Sequence, residues 1–169
     1  MRGIVYVTLP WSYAVMRRWL LSVVGPALVL LTPPVRAQDT RADVMAVVQR
    51  LFDGMRAGDS AMVRSVFHPK ARMISAGSRT GPMVVRVEES PDGFVKAVGS
   101  PHPQRWDERT SNEKFFVDGP VAVVWADYTF HLGDKFSHCG IDHFLLVQEG
   151  GKWLVMELAD TERREGCPA

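Results

Sequence analysis

Three glycine-bearing turns in the second half of this 169-residue chain constrain its fold more than any other feature. Asp118-Gly119, Gly133-Asp134 and Gly150-Gly151 are dipeptides of the kind that reverse a strand tightly. They divide β-branched and aromatic segments of strand length: residues 105–117, 121–132, 136–148 and 152–160. Connections this short oblige successive strands to pair antiparallel. The expectation is a four-stranded meander, followed by a polar tail over 161–169.

The first half reads as helices and short strands. Val44, Val47, Val48, Leu51, Phe52 and Met55 recur at helical spacing behind Asp39-Thr40, and Gly58 ends the run. Asp59 opens a shorter helix with Met62, Val63, Val66 and Phe67, which His68-Pro69 stops. Met73-Ile74 and residues 83–87 read as strands around a turn at 77–81. Ser90-Pro91-Asp92 starts a third helix through Phe94, Val95 and Val98, with proline in its first turn. The fold class is α+β. Three helices from the N-terminal half should pack on the concave face of a curved antiparallel sheet shaped as a cone.

Residues 1–37 have a different character. Arg17-Arg18 precede an apolar run over residues 19–31, followed by Pro33-Pro34 and then Val35-Arg36-Ala37. A positive start, a short apolar stretch and small residues at −3 and −1 are the parts of a secretion signal cleaved after Ala37. Thirteen apolar-run residues with a proline among them fall short of the roughly 20 that span a bilayer. Met16 would make an ordinary start for such a signal, leaving 1–15 as an upstream extension. The expectation is one domain over 38–169, periplasmic or secreted, with no stable membrane span after processing.

Processing changes the charge. Four of the 20 basic residues, and none of the 19 acids, precede residue 38, so the mature chain carries −3 with histidines neutral. That balance gives no electrostatic reason to bind nucleic acid. Both cysteines, Cys139 and Cys167, fall in the mature part, where an oxidising compartment favours a disulfide over free thiols. The bridge would staple the tail to a strand and stabilise the fold by about 3 kcal/mol or a little more. A metal site is disfavoured, because no second Cys or His stands at ligand spacing near Cys167.

The helix–strand order resembles the nuclear transport factor 2-like, or SnoaL-like, superfamily. The phrases Val48-Gln49-Arg50-Leu51-Phe52-Asp53-Gly54-Met55, Gly58-Asp59, Phe67-His68-Pro69-Lys70-Ala71 and Gly151-Lys152-Trp153-Leu154-Val155 carry the likeness, which covers nearly all of 42–160. Tyr128-Thr129-Phe130, Ser137-His138-Cys139-Gly140-Ile141-Asp142 and Arg163-Arg164-Glu165-Gly166-Cys167 are similar to exported bacterial members without an established activity. The resemblance implies a cone enclosing a pocket, and a homodimer through exposed aromatics such as Trp125. It leaves function open, since the same cone serves isomerases, dehydratases, cyclases and binding modules.

Strand parity yields candidate pocket residues. A two-residue turn at Gly150-Gly151 puts His138, Gly140, Asp142, Phe144, Leu146, Trp153, Val155 and Glu157 on one face. Cys139, Ile141, His143, Leu145, Val147, Leu154, Met156 and Leu158 take the other. The first face, mostly apolar with a few polar groups, reads as the pocket side. A three-residue turn at 133–135 adds Tyr128 and Phe130 to it, and a two-residue turn at Asp118-Gly119 sets Arg109 opposite Tyr128 and Asp107 opposite Phe130. His138, Asp142 and Tyr128 are thus the candidate catalytic groups; Arg109, Phe130, Phe144, Trp153 and Glu157 are candidate ligand contacts. Residues 138 and 142 stand about 13 Å apart along a strand, too far to bond directly. A structural alternative pairs Asp142 with an arginine such as Arg109. No metal set forms from His138, Asp142 and His143, because the last two point to opposite faces, and no cofactor motif is present.

Three functions fit. The first is binding of a small, largely apolar molecule without turnover. The second is acid–base chemistry of the isomerase or dehydratase kind on a small carbonyl compound, with His138 and Asp142 moving protons and Tyr128 donating. The third is an interaction module with a filled pocket.

Overall fold

The apolar stripe of the first expected helix is a buried face: Val44, Val48, Leu51, Phe52 and Met55 all lie in the core. The computed structural model describes residues 37–77 and 82–167. The expected export segment lies outside the described residues except for Ala37, where the first helix begins, and so does most of the 77–81 turn. The described elements are α1 (Ala37–Ala57), α2 (Ser60–Val66), β1 (Phe67–Gly77), β2 (Val84–Glu88), α3 (Asp92–Gly99), β3 (Trp106–Asp118), β4 (Val121–Leu132), β5 (Lys135–Glu149) and β6 (Lys152–Glu162). Among the described residues, no helix is long and apolar enough to cross a membrane.

Gly58, at φ +67°, lets the chain leave α1, and the Asp59 carboxylate accepts from the Met62 N–H at 2.9 Å to open α2. Asp39 and Thr40 fall inside α1 rather than capping it. His68-Pro69 ends α2 as expected but already belongs to β1. Pro69 has no N–H to give a ladder, and the pairing of β1 with β6 lapses between Phe67 and Arg72.

The six strands form one curved, open sheet in the order β2-β1-β6-β5-β4-β3. The meander β3–β6 is antiparallel as expected, but β1 runs parallel to β6, so the sheet is mixed. The three helices bury their apolar sides against Ala122, Val124, Phe144, Leu146, Trp153 and Val155 on one face.

Three one-residue irregularities re-aim the strands, and each exchanges the faces beyond it. In β3 the ladder shifts between Ser111 and Lys114, where Asn112 takes φ +55° and donates to Asp127 at 2.8 Å. In β5, Ser137 is the extra residue between the His131–Phe136 and Phe130–His138 pairs. In β6 it is Met156, between the Leu146–Val155 and Leu145–Glu157 pairs.

The tail is not loose. Cys139 and Arg163 exchange two backbone hydrogen bonds of 2.9 Å, and Cys139 is bridged to Cys167 with Cα atoms 5.8 Å apart.

Candidate functional site

Where the helices stop covering the sheet, a cavity of about 520 Å³ opens. Leu51 and Met55 of α1, Phe94 of α3, and Trp106, Phe130 and Leu158 of the sheet make its apolar walls. Its polar groups are Ser75, Glu108, Tyr128, Ser137, His138, Asp142, Asp160, Glu162 and Arg164. Three strands thus deliver four carboxyls to one space.

The irregularities explain this set. Because of Met156, Asp160 stands directly opposite Asp142, while Glu157 turns to the other face beside Leu145 and forms an ion pair with Arg72 at 2.5 Å. The shift in β3 sets Glu108, not Asp107, opposite Phe130, and Thr110, not Arg109, opposite Tyr128. Arg109 instead grips Asp107 at 2.6 and 3.0 Å, with Arg56 on the other carboxylate oxygen at 3.2 Å. The expected Asp142–Arg109 pairing is therefore replaced by acid facing acid.

Asp142 is 2% exposed. No hydrogen-bonding N–H or O–H among the described residues reaches its Oδ2. Its carboxyl meets that of Glu108, a contact that is favourable only with a proton between the two groups. Burial, then the Glu108 carboxyl and the charge of Asp160, push Asp142 well above the usual carboxylate range. Burial pushes Glu108 up to about 7, with the Asp142 hydrogen bond opposing and Asp160 reinforcing. Asp160 is raised by burial, against a 2.5 Å hydrogen bond from Ser75. Burial and mutual repulsion thus favour the protonated forms of this coupled pair over the range where ordinary carboxyls are ionised.

Tyr128 shares this face, but its hydroxyl is committed: it donates to the Thr161 carbonyl at 2.8 Å. Burial, then Asp160 and Glu108, raise its pKa further, so it stays protonated. Gly140 makes the contact possible. A Cβ there would lie 1.7 Å from the Thr161 oxygen and 2.6 Å from the Tyr128 ring. His138 stacks on Phe130 with centroids 4.8 Å apart, and its Nδ1 is 3.0 Å from Ser137 Oγ and 4.0 Å from Glu162 Oε1.

Of the remaining expected contacts, Phe130 lines the cavity, while Phe144 and Trp153 do not. Phe144 is fully buried and meets Phe52 edge-on at 6.1 Å, and Trp153 is buried in the same core. They lie under the helices, which cover that end of the face. Glu108, Asp160, Glu162 and Arg164 were not expected. The only sequence cue to any of them is Asn112, a residue that tolerates positive φ inside a strand pattern.

Residues 39–158 match the model of the family described as "putative lumazine-binding". The chain belongs to that family. Solved structures share the family member's nuclear transport factor 2-like fold at low identity. A protein of unknown function from Mycobacterium tuberculosis superposes with a TM-score of 0.64 at 16% identity, over 80% of this chain and 79% of that one. A nuclear transport factor 2-like protein of unknown function from Shewanella baltica gives 0.57 at 14%, over 77% and 98%. A protein of unknown function with a cystatin-like fold from Nostoc punctiforme gives 0.60 at 11%, over 79% and 96%. No curated protein matches the sequence. These likenesses carry the fold alone, since one fold serves many chemistries.

Proposed function

We propose that the mature chain is an exported small-molecule-binding protein whose ligand lies in the cone with its polar end on Glu108 and Asp142. The observation that carries this is Asp142 itself: a desolvated carboxyl on a cavity wall, with one oxygen that no donor among the described residues reaches. Leaving such an atom unbonded costs about 1–3 kcal/mol, which a ligand hydrogen bond would recover. The aromatic and aliphatic walls suit an apolar body with one polar edge. The family description supports a small ligand as well. The export reading draws support from the Cys139–Cys167 bridge, since such bridges persist in oxidising compartments.

Mass spectrometry of material co-purifying with the natively exported protein tests this reading. It predicts a small molecule in wild type that is depleted in Asp142→Asn. An equal yield from both proteins would count against it.

A second reading, an acid–base enzyme, is favoured by two carboxyls with raised pKa, Glu108 and Asp142, lining the same cavity as His138. Tyr128 has no role in it as a donor to substrate, because its hydrogen is already used. If the protein is an enzyme, His138→Gln should abolish turnover of the identified ligand while leaving its affinity nearly intact. Loss of both together points to binding alone.

Phe116, Val121 and Trp125, 63%, 42% and 44% exposed, share the sheet face opposite the helices and support self-association there. Light scattering across a concentration series distinguishes a dimer from a monomer.

A further inference from the structure

Among the described residues lining the cavity, acids outnumber bases. Glu108 from β3, Asp142 from β5, and Asp160 and Glu162 from β6 face it, against Arg164 of the tail and His138 of β5. The remaining lining from β4 includes the neutral Tyr128 phenol, and β1 contributes Met73 and Ser75. Leu51 and Met55 bring no charge from α1, nor does Phe94 from α3. Arg56 of α1 is directed elsewhere, to Asp53, Asp107 and the Glu108 backbone carbonyl. Ser75 serves Asp160, and His138 approaches Glu162. What meets Asp142 is Glu108, and among the described residues no donor reaches Asp142 Oδ2.

We propose that the cavity takes a small organic cation, a protonated amine or amidine on an apolar ring, with its charge seated between Glu108 and Asp142. This rests on the cavity being the ligand site. A cation supplies what the pair lacks: N–H donors for Oδ2 and a positive charge to replace the shared proton. Trp106 and Phe130, edge-to-face at 6.2 Å, give the ring its apolar wall. Binding therefore expels a proton from the pair, and affinity rises with pH as Glu108 ionises.

Three indoles of one shape and different charge test this on the purified chain with its disulfide intact: tryptamine, tryptophol and indole-3-acetate. By calorimetry at pH 8, tryptamine should bind at least about tenfold tighter than tryptophol, the increment of one charge-assisted hydrogen bond, and indole-3-acetate weakest. Repeating the titration in buffers of different ionisation enthalpy should show proton release for tryptamine alone. At pH 5.5, with Glu108 protonated, the tryptamine advantage should shrink about tenfold. Glu108→Gln should bring the tryptamine-to-tryptophol ratio near one, and the wild-type pH profile stands as the test if that variant does not fold. Tryptophol or indole-3-acetate binding as tightly as tryptamine overturns the cation while leaving a small-ligand site. Binding by none of the three overturns the cation together with the ligand-site reading.

Discussion

Asp142 on β5 lies directly opposite Asp160 on β6, with both carboxyls turned into the cavity. Like charges in facing positions of an antiparallel pair repel, and here Glu108 adds a third acid. Such a cluster persists in a folded chain only by holding protons, which makes stability depend on pH in a direction opposite to most carboxylates.

Native Asp142, Glu108 and Asp160 retain protons at pH values where the unfolded chain has released them. Stability is therefore fully present below the unfolded-state values near 4 and is lost as pH rises through the folded ones, about 7 for Glu108. Thermal melts should show Tm falling by roughly a few degrees between pH 5.5 and 8.5. In Asp142→Asn that fall should shrink, because the amide donates to Glu108 without titrating. A wild-type Tm rising over this range would refute the cluster's protonation.

The disulfide should support the cavity as well as the fold. Glu162 and Arg164 line the cavity from the segment that Cys167 ties to Cys139. Cys167→Ser should cost about 3 kcal/mol, or roughly 10 °C in Tm. It should also weaken tryptamine binding in calorimetry several-fold, whereas a bridge serving stability alone would leave affinity unchanged at temperatures where the variant is folded.

Gly140 is required by close approach, not by an unusual backbone angle. In Gly140→Ala the new methyl must displace the Thr161 carbonyl or the Tyr128 ring. Chemical denaturation should register a loss of about 3 kcal/mol. Near-UV circular dichroism should show a change in the tyrosine environment.

Phe130 and Phe144 stand on the same sheet face with different duties. Phe144→Ala removes a fully buried ring from the core and should destabilise by about 3–5 kcal/mol. Phe130→Ala, at the half-buried cavity wall under His138, should cost about 1–2 kcal/mol and reduce tryptamine affinity more than Tm. Equal destabilisation by the two would place Phe130 in the core.

The strands and helices were legible because their signals are local: glycine dipeptides at the turns, and a 3.6-residue stripe from Val44 to Met55. The site was legible only in part. His138, Asp142, Tyr128 and Phe130 do line the cavity, although Tyr128 and Phe130 share the His138 face through a two-residue turn plus the extra Ser137, and not through the expected three-residue turn. Glu108, Asp160 and Glu162 were missed because one extra residue at Met156, and one within Asn112-Glu113, reverses every face beyond it. The β6 irregularity carries no local signature, since its cause is the pairing of distant strands. Glu157 and Arg109 went to the wrong side for the same reason. Phe144 and Trp153 were assigned to the correct face, but how far the helices cover that face is set by tertiary packing. The parallel pairing of β1 with β6 is likewise a long-range choice, invisible in either strand alone.

The raised protonation of Glu108 and Asp142 is measured most directly by 13C-detected NMR titration of the side-chain carboxyls. The prediction is a midpoint for Glu108 near 7, with Asp142 still protonated well above the normal carboxylate range. In Asp142→Asn, the Glu108 midpoint should fall. Midpoints for both residues at about 4, the value of an unperturbed carboxyl, would contradict the account.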